Sequence, residues 1–146
     1  MSTHSNQPRS RARRRALQAL YQWQMTGQEP SAITRQFLDV QDMNGVDDAF
    51  FVQLVEGVAA EVQHLDEQLE PFLDRPMDQL DVMESVVVRM GVFEFIHCPE
   101  QPLRVVINEC VDLAHRFGSD QGHAFVNAVL DRAGRELRPI EASENS

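Results

Sequence analysis

Asp81-Val82-Met83-Glu84-Ser85-Val86-Val87-Val88-Arg89-Met90-Gly91-Val92-Phe93 is the stretch on which the fold class turns. Its β-branched run, Val86-Val87-Val88, suits a strand. Its apolar spacing suits a helix, because Met83, Val86, Val87, Met90 and Phe93 recur three or four positions apart. Asp81 followed by Glu84 has the form of a capping box, in which Asp81 accepts an early amide and Glu84 reaches back. Spacing and cap together favour a helix. With this segment helical, no alternating strand pattern stands out elsewhere, and the expected class is all-α.

The helical period extends in both directions. Towards the N-terminus, a long helix is expected from Asp47 or Asp48, carrying Phe51, Leu54, Val55, Val58, Val62, Leu65 and Leu69 and bent or ended at Pro71. Asn44-Gly45 marks a turn before it. A short helix from Ser31 covers Ile33, Phe37 and Leu38. The first helix begins at Arg9 and ends at Gly27 and Pro30, with Ala12, Ala16, Ala19, Leu20 and Trp23 on one face. Towards the C-terminus, Pro99 and Pro102 bracket a loop. A helix then places Val106, Ile107, Cys110, Leu113, Ala114 and Phe117 inward and stops at Gly118. Ser119 or Asp120 caps a further helix with Val126, Leu130, Ala133 and Leu137 on one face, and Pro139 stops it. Residues 1–8 are polar and aperiodic and read as disordered; 140–146 read as an acidic, disordered tail. Between them, 9–139 form one domain of about six to seven helices.

Charge is unevenly placed. Arg9, Arg11, Arg13, Arg14 and Arg15 lie within seven residues, and no acidic residue occurs before Glu29. The net charge is −10, so the chain without these five carries −15. All thirteen basic residues are arginine, whose planar fork grips phosphate bidentately and stacks on bases. Arg11, Arg14, Arg15, Gln18 and Gln22 face away from the apolar side of the first helix, with Tyr21 at the edge. Positive charge at a helix N-terminus opposes the macrodipole. Five such arginines in one place therefore suggest nucleic-acid binding rather than a merely solvated helix start. If all five met phosphate on a single strand, log affinity would fall with log salt at a slope of about −3.5.

Other side chains carry alternatives. Tyr21, Phe117 and Phe125 could stack on bases or fill the core. Phe117 precedes the helix end at Gly118, and Phe125 lies off the Val126–Leu130 face. The acidic body is either a solubility device or a docking face for a basic protein, with Glu84, Glu94, Glu109 and Asp112 as candidates. His97, Cys98, Cys110, His115 and His123 match no zinc-ligand spacing, so no metal is expected. No catalytic arrangement and no cofactor site stand out. Two cysteines without a disulfide framework, and no apolar run near the roughly 18 residues of a membrane span, fit a reduced cytoplasmic protein.

Three segments resemble one family. Arg13-Arg14-Arg15-Ala16-Leu17-Gln18-Ala19-Leu20-Tyr21-Gln22-Trp23-Gln24 is similar to the opening of NusB proteins. Val106-Ile107-Asn108-Glu109-Cys110-Val111-Asp112-Leu113-Ala114 resembles their INE segment. Phe117-Gly118 with Phe125-Val126-Asn127-Ala128-Val129-Leu130-Asp131 resembles their C-terminal helix motif. The three occur in order, and the resemblance extends over roughly 9–139.

The resemblance implies two small helical bundles packed together and a role in bacterial transcription antitermination. It implies that the chain pairs with the ribosomal protein NusE, binds boxA RNA in ribosomal RNA leaders, and joins RNA polymerase with other Nus factors. It assigns the arm arginines and Tyr21 to RNA contact, and Phe117, Gly118, Gln121 and Phe125 to a second RNA-facing region; Gln18, on the cationic face, is read as a further base contact. It assigns Glu84 to docking of the ribosomal partner. Ala124 stands where many relatives have lysine, and Gln121 where an acidic residue is often found. Some relatives form homodimers that hide the RNA face. Two other readings remain open: the accessory domain of an RNA-modifying enzyme, and a protein adaptor that does not bind RNA.

Overall fold

The computed structural model describes residues 7–144. Among them are eight α-helices and no strand: α1 Gln7–Thr26, α2 Pro30–Val40, α3 Asp48–Ala60, α4 Val62–Leu69, α5 Val82–His97, α6 Leu103–Phe117, α7 Gly122–Leu137 and α8 Pro139–Glu144. Two short 3-10 turns, Glu70–Phe72 and Met77–Gln79, lie between α4 and α5. The chain divides into two compact units at Ala60 and Glu61.

In the first unit, α1 packs on α2 and α3, and α2 on α3. Ala12, Ala16, Ala19 and Leu20 are buried as the spacing predicts, together with Leu17. They meet a core supplied by Ile33, Phe37, Phe51, Leu54, Val55 and Val58, and the Phe37 and Phe51 rings stack at 5.7 Å. Asp47 caps α3, its Oδ1 accepting the Phe50 N–H at 3.0 Å.

In the second unit, α4, α6 and α7 all pack on α5. Every residue of α5 from Glu84 to Phe95 is buried. A helix covered on all sides needs apolar residues all round, and that is why Val86-Val87-Val88 sits in a helix despite its strand preference. Covering one valine or leucine fully is worth about 1.5–3 kcal/mol, which outweighs the few tenths of a kcal/mol that helix propensity takes back.

Several boundaries differ from the sequence reading. The helix expected over Asp47–Leu69 is two helices, α3 and α4, joined at Glu61, whose φ −112° and ψ 20° leave the helical region. The expected disorder of 1–8 falls for 1–6 outside the described residues, whereas Gln7 and Pro8 open α1. Proline is tolerated in a first turn because its missing N–H has no partner there anyway, and the Pro8 carbonyl accepts the Asp47 N–H at 3.0 Å. Pro139 begins α8 for the same reason, so 139–144 are helical rather than a disordered tail; 145–146 lie outside the described residues. The Arg138 guanidinium, almost covered, donates to the carbonyls of Glu94, Phe95, Cys98 and Gln101 and to the Glu141 carboxylate. Glu141 also accepts the Leu103 N–H at 2.6 Å. One arginine thus satisfies end carbonyls of α5, and one glutamate an orphan donor of α6.

Candidate nucleic-acid interface

The five N-terminal arginines separate into different environments. Arg13 is 0% exposed, with its guanidinium 5.2 Å from the centroid of the Phe50 ring. Its assignment to RNA is therefore corrected: a full helical turn beyond Arg9, it points at α3 rather than at solvent. Arg9 reaches the same ring at 5.6 Å and pairs with Asp47 at 3.7 Å, so part of its charge is answered.

Arg11 and Arg15 are held differently. Arg11 donates to the Gly45 carbonyl at 3.4 Å. Arg15 donates through Nε and Nη2 to the Asp42 carbonyl at 3.1 and 3.0 Å, and through Nη1 to the Gln18 side chain at 3.3 Å. Carbonyl oxygens are neutral, so they orient a guanidinium without cancelling its charge. With Arg14, Asp42, Asn44 and Val46 these two arginines line a recess of about 170 Å³. Three cations face one carboxylate there, and Asp42 Oδ1 already accepts the Asn44 N–H at 3.1 Å. The recess therefore carries an excess of positive charge. The turn at Asn44-Gly45 was legible in sequence; that its carbonyls hold Arg11 and Arg15 was not.

Along the same helix Gln18 is exposed, and Tyr21 is 38% exposed at the edge of the stripe. Gln22 is tied into an amide chain, donating to Gln28 at 2.7 Å and Gln36 at 3.2 Å.

The second unit carries the other expected RNA-facing residues. Phe117, expected inward, is 38% exposed at the end of α6. Gly118 follows as the cap of α6, and its N–H donates to the Ala114 carbonyl at 2.8 Å. Gln121 is exposed at the start of α7 without capping through its side chain. Phe125 is half-buried, and the Arg75 guanidinium lies 5.1 Å from its ring centroid. Sequence reading placed Arg75 only in a connection; nothing in the spacing signals that it reaches Phe125, fifty residues away.

Two of the four acidic docking candidates, Glu84 and Glu94, are corrected by their burial. Glu84 is 2% exposed. Its Oε2 accepts the Ser119 N–H at 2.8 Å and the Ser119 hydroxyl at 2.6 Å. The capping box is thus half made: Asp81 accepts the Glu84 N–H at 3.2 Å, but the Glu84 side chain turns to Ser119. Glu94 is fully buried within α5, which is covered on every face, so it offers no docking surface either. Glu109 is half-buried. Asp112 is exposed and pairs with Arg116 at 3.2 Å.

Among the described residues no three metal-ligating side chains cluster, and no helix is long and apolar enough to cross a membrane. Cys98 and Cys110 are both buried, and neither is in a disulfide.

Comparison with known proteins places the chain in a family. The NusB family model matches residues 10–135. The transcription antitermination protein NusB of Nitrosococcus oceani is 47% identical over 133 residues, covering 91% of this chain and 89% of that protein. Its counterpart in Alcanivorax borkumensis is 48% identical over 136 residues, covering 93% and 91%. In structure, T. maritima NusB superposes with a TM-score of 0.81 at 24% identity, covering 94% of this chain and 97% of that one. A chain from a complex of the antitermination factors NusB and NusE with double-stranded RNA superposes with a TM-score of 0.75 at 25% identity, covering 88% and 96%. These relatives are transcription antitermination factors rather than enzymes. By the family match over most of its length and the similarity to relatives covered nearly end to end, this chain belongs to the NusB family.

Proposed function

We propose that this protein is a cytoplasmic, non-enzymatic RNA-binding antitermination factor. With the ribosomal protein NusE it binds boxA RNA of ribosomal RNA transcripts and joins the elongating RNA polymerase with other Nus factors. The observation that carries this reading is the recess lined by Arg11, Arg14 and Arg15, two of them held by neutral carbonyls. A phosphate entering it meets oriented donors whose charge is uncancelled. Tyr21 and Gln18 lie along the same helix for base contact. The relative crystallised with NusE and RNA supports both partners.

Burial of Arg13 lowers the expected salt dependence. Four surface arginines at about 0.7 per single-strand phosphate give a slope of about −2.8, roughly 50-fold lost between 50 and 200 mM salt. Titrating a boxA RNA over that range, with Arg14→Gln and Arg15→Gln as comparisons, tests the reading. Each substitution should flatten the slope by about 0.7. A slope near zero for the unaltered protein would refute it.

A further inference from the structure

We propose that Arg75 is a further RNA contact, stacked on Phe125 and presenting the edge of its guanidinium to a backbone phosphate. The inference rests on the RNA-binding reading above and extends it to a residue outside the arginine helix.

The geometry allows both contacts at once. A guanidinium meets an aromatic ring with its face and hydrogen-bonds with its edge. The Arg75 Cζ lies over the Phe125 ring, 5.1 Å from its centroid. The edge is bound to the neighbouring Asp74, Nη1 to Oδ1 at 2.8 Å. That pair is 40% and 71% exposed, and an ion pair in such a setting contributes little and exchanges readily. A phosphate oxygen can displace the carboxylate while Arg75 stays on the ring. Asp74 is then a placeholder.

Two other arginines of this unit, Arg89 and Arg138, are covered and committed to their partners, while Arg104, Arg116 and Arg135 stand in surface pairs as exposed as that of Arg75. Arg89 is bound by Asp66 at 2.7 Å. Arg138 serves the carbonyls of α5. Arg104 and Arg135 face Asp131 at 3.8 and 2.9 Å, and Arg116 faces Asp112. Arg75 is the one seated on an aromatic of the RNA-facing segment. It also borders a recess of about 490 Å³ whose walls include Asp66, Glu67 and Glu70. That side repels phosphate, so a strand must meet Arg75 from the Phe125 side. The stack also means that a base cannot lie on the ring face that Arg75 covers.

The test is fluorescence-anisotropy binding of a single-stranded boxA RNA across a salt series, on the full chain with folding checked by circular dichroism. Arg75→Gln should bind roughly tenfold more weakly and flatten the salt slope by about 0.7. Asp74→Asn should tighten binding several-fold, and the gain should vanish when Arg75→Gln is also present. Equal tightening by Asp74→Asn in both backgrounds would mean a general field effect and overturn the proposal. Arg75→Gln with unchanged affinity and slope, while Arg14→Gln weakens binding, would overturn it and leave the wider reading standing. If Arg14→Gln and Arg75→Gln both bind as the unaltered protein does, both readings fail together.

Discussion

Gly45→Ala should weaken RNA binding through Arg11, and Gly27→Ala should not. Both glycines adopt left-handed backbone, φ +76° at Gly45 and +73° at Gly27. Alanine there costs about 1–2 kcal/mol, partly offset by the lower entropy of the unfolded chain. Each variant should therefore lose roughly 1 kcal/mol of stability, a few degrees in melting temperature. The surroundings differ. A Cβ on Gly45 would lie 2.6 Å from Arg11 Nη1 and 3.4 Å from its Cζ, whereas a Cβ on Gly27 has nothing within 4 Å. The arginine tip is the movable partner, so it leaves the recess and its 3.4 Å bond to the Gly45 carbonyl. One phosphate contact is lost, and the salt slope should flatten by about 0.7. Anisotropy titrations of both variants against the same RNA measure this, with thermal unfolding alongside. An unchanged slope in Gly45→Ala, or the same loss in Gly27→Ala, would refute the reasoning.

Three further outcomes follow from burial. Arg13→Ala should cost about 2–4 kcal/mol in urea unfolding, through lost packing and the empty space it leaves, while leaving the salt slope unchanged; Arg14→Ala should do the reverse. Arg138→Ala should destabilise by about 3–5 kcal/mol in urea unfolding, because the end carbonyls of α5 and the Glu141 carboxylate lose their donor together; Arg138→Lys, with one donor nitrogen, should recover only part. Glu84→Ala should cost about 2 kcal/mol and speed hydrogen exchange at the Ser119 amide, whose acceptor it removes.

The helical class was readable because periodicity reports which side of a helix meets its neighbours, and most helices here are covered on one side. The buried faces of α1, α6 and α7 follow the stripes Ala12–Leu20, Val106–Ala114 and Val126–Ala133. Periodicity carries less for α5, which is covered all round and shows no polar face. The arginine cluster was legible as charge, but not its sorting. Arg13 is buried and Arg11 exposed by where the 42–50 segment runs, a tertiary fact. Glu84 and Glu94 misled because charge suggests exposure, whereas Glu84 is bound within the fold by Ser119 and Glu94 lies on a helix buried on every side. Arg75 on Phe125 joins residues fifty positions apart, and no local pattern encodes such a pair. Pro139 was read as a stop because proline ends helices; it also begins them.

The most direct test of the central claim compares a boxA RNA with a scrambled RNA of the same length across 50–200 mM salt, with and without NusE. The account predicts selective binding to boxA, a slope of about −2.8 from the arginine helix and about −3.5 with Arg75 included, and tighter binding when NusE is present. Equal binding to both RNAs, unaffected by NusE, would contradict it and leave α1 a cationic helix without a specific target.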